Sequence, residues 1–507
     1  MRKFSYLSFA LTFLLAGASP PRTFASETRV NAVGGLNLVL DDETADLSPF
    51  NLGNPAGLAL LPSQSRFDAS GALSLDTPAS DAAAQVETYG TFSHIGSNFP
   101  ASNLLSNSAS PFTYQGLLLF PAKDRAVQLS GDLLHTTHQT DSGAYDTSAD
   151  RVRGTGRMAA DLDPLVLGTG IDAAQVQKSL TNLYGPGPDG QADSSLLVST
   201  SGLLLDLPLD RSKEPSRLRI GGLFGTQIAP SQQKETITGN SGGTPVDLTV
   251  TISVPTYLNF GPDLYLMVPG SFQACLLTRV THTELDYQLD SGSGLLIPSI
   301  AEYHLETDDS LAVFGGIKGK FPLPGSLRQK LTLNMGAYSL VGSARAKQTD
   351  PAGAEVQTTD ESDVQFGLGA GLENADEFTL GFQAALDTRS GSYAPVSGTG
   401  YSLDYLAYTF GLGGEKWLNE HWALRGGLNF EDDYNGGGED VVKVHYKVPP
   451  GTRIVATTLT MGASFKQGAF RWDLAFWMGQ PSTYDSPNPN DFTTQAGVQG
   501  TLSVLFN

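Results

Sequence analysis

The 507-residue chain contains one cysteine, few basic residues and no long hydrophobic run beyond its N-terminus. Cys275 alone cannot form an intramolecular disulfide, so strand pairing and packing must stabilise the fold. Lys and Arg number 31 against 52 Asp and Glu, and the formal net charge of −21 argues against nucleic acid as a partner. Later apolar runs end within about ten residues, whereas a transmembrane helix needs ~20. Any membrane crossing must therefore use strands.

Residues that could support catalysis or bind a metal are scattered. The seven His residues do not cluster, and His135 and His138 are three apart on a predicted strand, which places them on opposite faces. His421 lies beside a short turn and is predicted to be interfacial. No Gly-x-Ser-x-Gly elbow in a strand-turn-helix setting, phosphate loop or cysteine-based metal site is apparent. We therefore expect no catalytic residue, metal or cofactor.

The N-terminus has the pattern of a secretory signal. Arg2 and Lys3 precede an apolar run over residues 4–18, and small residues follow, with a second possible cleavage point after Ala25. An N-terminal membrane anchor is the alternative, but the run is shorter than a spanning helix and no stop-transfer charges follow it. We predict that residues 1–25 are a signal peptide and that the protein is exported.

The last residues alternate between apolar and polar side chains, as expected for a strand with lipid on one face. The apolar parity comprises Ala496, Val498, Gly500, Leu502, Val504 and Phe506. Residues 378–387, 421–430 and 471–478 alternate in the same way, with charged residues almost wholly on the second face and Trp or Phe at the ends of the first. We assign the first face to lipid and the second to a lumen.

Very short and much longer links alternate between the predicted strands, which is typical of outer-membrane barrels. Short turns are predicted at residues 322–325, 374–376, 418–420 and 467–468. The predicted strands are 66–75 or 86–95, 113–120, 125–138, 193–206, 216–229, 247–268, 271–290, 308–321, 328–342, 363–373, 378–389, 403–417, 421–431, 453–466, 470–479 and 493–507. The acidic run 360–363 is read as solvated loop, with ligands for a divalent cation as the alternative. Residues 171–184 have helical spacing, which predicts a short helix in an external loop.

A short motif lies between the signal and the first strand: Asn54, Pro55 and Ala56. An Asn-Pro-Ala stretch followed by a barrel resembles the FadL-type outer-membrane transporters of long-chain fatty acids and hydrocarbons, and the hairpin 415–427 is similar to their late hairpins. The resemblance implies that residues 26–64 form a hatch inside the barrel. Physically, Asn-Pro is also an ordinary turn former, so a plain loop is the alternative. The fold class predicted is an all-β, antiparallel transmembrane β-barrel of about 14–16 strands over residues 65–507, with an N-terminal luminal hatch.

Four charged residues near the C-terminus fall on the predicted lumen face: Glu415, Arg425, Arg471 and Asp473. They could form a structural ion-pair ladder across neighbouring strands, or a site for a ligand carboxylate. Sequence alone leaves both readings open.

The predicted function is passage of hydrophobic small molecules, such as long-chain fatty acids or hydrocarbons, across the outer membrane. The expected partners are that ligand and outer-membrane lipids, and we expect a monomeric barrel. Two alternatives remain: a PorV-like accessory scaffold for secretion or assembly, which would lack a ligand-sized apolar cavity, and a general porin, which would lack a hatch.

Overall fold

The computed structural model describes much of the region after residue 111 and short pieces before it. The described residues are 32–33, 36, 54–60, 65–76, 112–122, 125–139, 145–182, 189–212, 215–229, 231–241, 244–269, 271–291, 305–323, 331–349, 354–374, 377–395, 400–438, 441–442, 447–448, 450–483 and 495–506. The predicted signal peptide, residues 1–25, and most of the predicted hatch lie outside these ranges. In the part that is described, no helix has the length and apolar character needed to cross a membrane.

The described chain is almost entirely β-strand, with one short 3-10 helix at Pro55–Leu60. The strands are β1 Ser65–Asp76, β2 Phe112–Ala122, β3 Arg125–Gln139, β4 Tyr145–Asp161, β5 Leu165–Asn182, β6 Asp189–Pro208, β7 Arg217–Gln227, β8 Ser231–Ser241, β9 Thr244–Val268, β10 Phe272–Ser291, β11 Leu305–Pro322, β12 Leu331–Thr349, β13 Glu355–Asn374, β14 Phe378–Pro395, β15 Tyr401–Trp417, β16 Trp422–Asn435, β17 Val441–Val442, β18 Lys447–Val448, β19 Thr452–Gln467, β20 Phe470–Thr483 and β21 Gln495–Phe506.

Nineteen of these strands form one antiparallel sheet, and β17 and β18 form a separate small ribbon. The strands of the large sheet pair in sequence order, except that β7 and β8 both lie between β6 and β9 and that β16 pairs with β19. The last strand, β21, pairs with β1 over twelve residue pairs. The pairing thus returns to the strand from which it started. Because every described strand of the large sheet then has a partner on both sides, this is an arrangement that can exist in lipid.

Strands β7 and β8 occupy one position in the wall. Residues 198–208 of β6 pair with β7, and residues 189–195 of β6 pair with β8. On the other side, residues 258–267 of β9 pair with β7, and residues 244–254 of β9 pair with β8. The two strands are therefore successive parts of one long strand, interrupted around residues 228–230. Counting them together, the described wall has eighteen positions.

One end of the barrel carries the short turns. The chain turns there between β11 and β12, β13 and β14, β15 and β16, and β19 and β20, at the positions predicted from sequence. At Leu418–Trp422 the turn is closed by a hydrogen bond from the Leu418 N–H to the Trp422 carbonyl, and Asn419 Oδ1 accepts from the backbone N–H groups of His421 and Trp422. The first residue of β1, Ser65, and the last residue of β21, Phe506, are register partners and lie at this short-turn end.

The two faces of the wall differ as predicted for a membrane barrel. Large apolar side chains are exposed on the outer face, for example Leu380, Phe410, Leu424, Trp472 and Met478. Polar and charged side chains alternate with them and are buried on the lumen face. Apolar side chains on the outside and polar side chains on the inside are what a barrel surrounded by lipid requires.

The outer apolar band ends within a few residues at the long-loop end. Val313, Val341 and Val364 form a register row on adjacent strands β11, β12 and β13 and face outward. Four residues further along, the register row consists of Asp309, Arg345 and Asp360, whose side chains are all more than half exposed. Charges in that position belong outside hydrocarbon, so the bilayer boundary lies between these two rows.

The all-β antiparallel barrel predicted from sequence is confirmed, but three details were wrong. The wall has more positions than the predicted 14–16 strands, because β4 and β5 form where a large loop was expected. The predicted helix at residues 171–184 falls largely in β5. The acidic run 360–363 lies within β13 rather than in a loop. These segments reach beyond the bilayer boundary, where apolar alternation is not required.

Candidate functional site

The Asn-Pro-Ala segment is buried against the lumen face near the short-turn end. Asn54 is 3% exposed, and its Nδ2 donates to Asp263 Oδ2 at 2.6 Å and to the Gly222 carbonyl at 3.1 Å. The Asn54 side-chain oxygen accepts from the Ala56 N–H at 3.0 Å, which starts the 3-10 helix in the manner of an Asx turn. One side chain therefore both shapes the segment and fastens it to the wall.

The partner of Asn54 is itself held in an ion pair. Asp263 on β9 accepts from Arg279 Nη1 on β10 at 2.6 Å, and the side chain of Asp263 is fully buried. Removing Asn54 would leave a buried carboxylate with one fewer donor, and such groups are costly when incompletely hydrogen-bonded.

Two glycines make room for the segment. Gly168 on β5 and Gly202 on β6 are register partners. A Cβ atom at Gly202 would lie 1.9 Å from Asn54 Oδ1, and one at Gly168 would lie 2.3 Å from the Pro55 and Ala56 backbone. The absence of side chains at this pair lets the backbone of residues 54–56 approach the wall directly.

Small apolar side chains also hold this segment against the wall. Ala56 packs with Val166 and Leu204, and Leu58 packs with Ala126 and Ala159. These contacts extend across β3 to β6, so the 3-10 helix lies across four strands rather than along one.

A second N-terminal piece contacts a different part of the wall. The Ala32 carbonyl accepts from Thr460 Oγ1 at 3.2 Å. A Cβ at Gly413 would lie 2.2 Å from the Val33 carbonyl oxygen, and one at Gly462 would lie 2.6 Å from the Ala32 Cβ. Residues 32–33 therefore approach β15 and β19, while residues 54–60 contact β3 to β6.

The four charged residues singled out from sequence come together on the lumen face. Arg425 donates through Nε to Glu415 Oε2 at 2.6 Å and through Nη1 to Asp473 Oδ1 at 2.9 Å. Arg471 Nε lies 2.9 Å from Asp473 Oδ2, and Ser464 Oγ also donates to Asp473. The guanidinium of Arg425 therefore binds two carboxylates, one on β15 and one on β20. The arrangement is an ion-pair ladder that runs from β15 through β16 and β19 to β20.

An apolar patch interrupts the polar lumen beside the Asn-Pro-Ala segment. We define the inner patch by the residues Tyr265, Cys275, Leu277, Phe314, Tyr338 and Leu340. Phe314 is the register partner of Leu277 and Leu340, and its ring stacks on that of Tyr338 with centroids 6.0 Å apart. Tyr265 also packs against the Ala56 cluster, so the patch and the N-terminal segment are contiguous.

Sequence reasoning found the N-terminal motif and the four ladder charges, but it missed their surroundings. Asp263 follows Gly261 and Pro262 in β9, and a charged residue at a lumen-facing position of that strand was an available signal. The inner patch had no such signal, because Leu277 and Phe314 look like lipid-facing residues until the parity of their strands is known.

The histidines and acidic residues were also compared with the arrangements that metal binding and catalysis require. No group of three or more His, Cys, Asp or Glu residues there could hold a metal ion. His421 Nδ1 lies 3.0 Å from the Lys466 carbonyl at the short-turn end, and His282 pairs with Asp309 on the outer face. Neither His contacts a nucleophilic hydroxyl or thiol in these hydrogen bonds.

Comparisons with known proteins give structural neighbours only. No family model matches the chain, and no curated protein matches it. It is similar to the crystal structure of a Pseudomonas aeruginosa FadL homologue, with 13% identity, 96% of this chain and 98% of that chain covered, and a TM-score of 0.36.

Two further neighbours are also transporters by name. The toluene transporter TbuX of Ralstonia pickettii shares 14% identity over 94% of this chain and 96% of its own, with a TM-score of 0.35. The copper transporter OprC shares 10% identity over 87% and 80%, with a TM-score of 0.45. These TM-scores are low, and the barrel is established by the strand pairing of the chain itself. The neighbours' cargo is a property of those proteins.

Proposed function

We propose that the protein is a plugged outer-membrane barrel that passes hydrophobic small molecules, with residues 26–64 as the plug. The observation that carries the proposal is the inner patch, a buried apolar cluster on the lumen side of the wall that adjoins the Asn54–Ala56 segment. A general porin has no need of such a surface. A ligand resting on the patch would lie directly beside the segment whose displacement opens the way inward.

The lumen charges favour an uncharged ligand over a carboxylate. A guanidinium is the natural partner of a fatty-acid head group. Among described side chains, the lumen arginines each lie within 4.0 Å of an Asp or Glu: Arg157, Arg217, Arg219, Arg279, Arg389, Arg425 and Arg471. A fatty-acid carboxylate would have to displace one of these partners, whereas a hydrocarbon would not.

Substitution at Phe314 tests this function. Phe314→Asn places an amide in the inner patch, and Phe314→Leu keeps the site apolar at smaller volume. We expect uptake of a labelled hydrocarbon into proteoliposomes or cells to fall several-fold with Asn and much less with Leu, because only the first change removes apolar contact. Long-chain fatty acid, assayed in parallel, should be taken up more slowly than the hydrocarbon by the wild type.

Folding is checked for both variants by the mobility shift between unheated and heated samples on SDS gels. Equal hydrocarbon uptake by the wild type and a folded Phe314→Asn variant would contradict the proposal. If uptake is absent in the wild type as well, the scaffold alternative is favoured, because a scaffold barrel does not need to pass a ligand.

A further inference from the structure

A groove lies in the outer face of the wall, between the valine row and the exposed charged row described above. Its volume is about 570 Å³. The floor is a register row of short side chains, Ser343, Ser362 and Ser390, on the adjacent strands β12, β13 and β14. We call this depression the outer groove and define it by its lining residues Leu311, Ser343, Arg345, Asp360, Ser362 and Ser390.

Longer side chains on both sides give the outer groove its depth. Toward the short turns, Val341 and Val364 face outward from β12 and β13. In the other direction, Arg345 and Asp360 occupy the next outward positions after the serines, about 7 Å along the strands. A serine side chain is shorter than any of these four, so a trough remains open across three strands.

The position of the outer groove indicates what occupies it. The valine row belongs to the apolar band, whereas the charged row lies outside hydrocarbon. The groove therefore lies at the level where the head groups of lipids meet their acyl chains. A lipid seated there would place its head group on the serines and its chains over Val341 and Val364.

The hydroxyl groups of the floor favour a head group that both donates and accepts hydrogen bonds. Each serine hydroxyl donates one hydrogen bond and offers two lone pairs. Ser362 Oγ and Ser390 Oγ lie 2.7 Å apart, and a hydrogen bond between them leaves lone pairs on both oxygens. Sugar hydroxyls have the same dual character and match such a row.

The charges at the edge of the outer groove argue against a phosphate. Asp309 and Asp360 line it together with Arg345, and His282 pairs with Asp309. Arg345 Nε lies 3.5 Å from Asp360 Oδ1, so the guanidinium charge already faces a carboxylate. A phosphate would be repelled by the two carboxylates, whereas the hydroxyls of a sugar can donate to a carboxylate and accept from the guanidinium.

With the barrel in the outer membrane, as proposed above, we propose that the outer groove binds the uncharged sugar head group of a glycolipid from the surrounding leaflet. The sugar lies on the three serines with hydroxyls bonded to Asp360 and Arg345. The inner patch lies on the opposite face of β11 and β12, so this bound lipid is distinct from the molecule that crosses the barrel.

Lipid retention by the intact barrel tests the site. The protein is reconstituted into phosphatidylcholine nanodiscs that contain a small fraction of digalactosyldiacylglycerol or, separately, of phosphatidylglycerol with the same acyl chains. Bound lipids are identified by native mass spectrometry after release into an amine-oxide detergent, because a detergent with a sugar head group would compete. We expect the barrel to retain one glycolipid in preference to both phospholipids.

Two substitutions in the outer groove should reduce that preference. Ser362→Leu fills the middle of the trough with a side chain that a lipid-facing wall tolerates, and it should abolish the preference. Asp360→Asn removes the charged acceptor and should weaken retention several-fold. Thr457→Leu is the matched control, because Thr457 is an exposed, outward-facing residue on β19, away from the groove. It should retain the glycolipid as the wild type does.

The proposal is overturned if the wild type retains the glycolipid no better than phosphatidylcholine, if it prefers phosphatidylglycerol, or if folded Ser362→Leu and Asp360→Asn variants keep the full preference. Phe314→Asn separates this site from the proposed transport function: it should slow hydrocarbon uptake and leave glycolipid retention unchanged. Loss of the glycolipid in that variant would place the lipid at the inner patch and also overturn the proposal. Hydrocarbon uptake that is absent in a wild type with the expected glycolipid preference would refute the proposed cargo and support the lipid site.

Discussion

Gly202 determines how closely the N-terminal segment can approach the wall. A methyl group at this position would collide with Asn54 Oδ1, which also fixes the start of the 3-10 helix. We predict that Gly202→Ala displaces residues 54–56 and raises ion conductance in planar bilayers, while the strands remain paired. Gly154→Ala is the control, because a Cβ there meets nothing within 4 Å. Equal conductance of the two variants would show that this segment does not limit flow.

At the residue scale, the sequence indicated which side chains matter better than it indicated their partners. Parity alone places Glu415, Arg425 and Asp473 on one face, and strand order then brings them together. The Asn54–Asp263 hydrogen bond joins residues more than two hundred positions apart. No local pattern encodes such a pairing, because it depends on which wall strands lie beside the folded-in N-terminus.

At the scale of elements, the two faces of β19 and β20 should tolerate charge differently. Leu474 faces outward on β20 about four residues from the turn, ~10 Å into an apolar band of roughly 25 Å. Leu474→Arg should therefore lower the free energy of unfolding by ~2–4 kcal/mol. Thr458→Arg, on the lumen face of β19, should cost much less. Reversible unfolding in lipid vesicles measures both, and equal losses would reverse the assignment of faces.

The strands that were missed show where this reasoning fails. Alternation is imposed only where lipid covers the outer face. Toward the long-loop end, the outward-facing positions of β5 are Ala173, Gln175, Gln177 and Ser179, so no large apolar side chain marks a strand there. Residues 171–184 then matched a helical spacing by coincidence. Short strands such as β16 and β20, and their turns, were predicted from sequence. Their outer face lies in the bilayer along most of its length, so apolar and polar residues alternate throughout.

At the scale of the whole molecule, the central question is whether the lumen is closed. The described N-terminal pieces contact β3 to β6 on one part of the wall and β15 and β19 on another, and both contacts lie toward the short-turn end. A polar-lined barrel without a plug would be an open pore, and the proposed plug is the N-terminal segment. The wall does not depend on it for pairing, because β1 begins at Ser65 and closes with β21 and β2.

Deletion of residues 27–64 should therefore leave a folded barrel that conducts. We expect the wild type to conduct poorly in planar bilayers and the deletion to form a large, steady ion conductance, because the strands pair without the segment while the lumen loses its filling. The acidic lumen should make this conductance cation-selective, measured as the reversal potential in a salt gradient. A wild-type barrel that already conducts like an open pore would favour the porin alternative. A folded deletion variant that remains closed would show that other parts of the chain fill the lumen, and the hatch assignment of residues 26–64 would then be wrong.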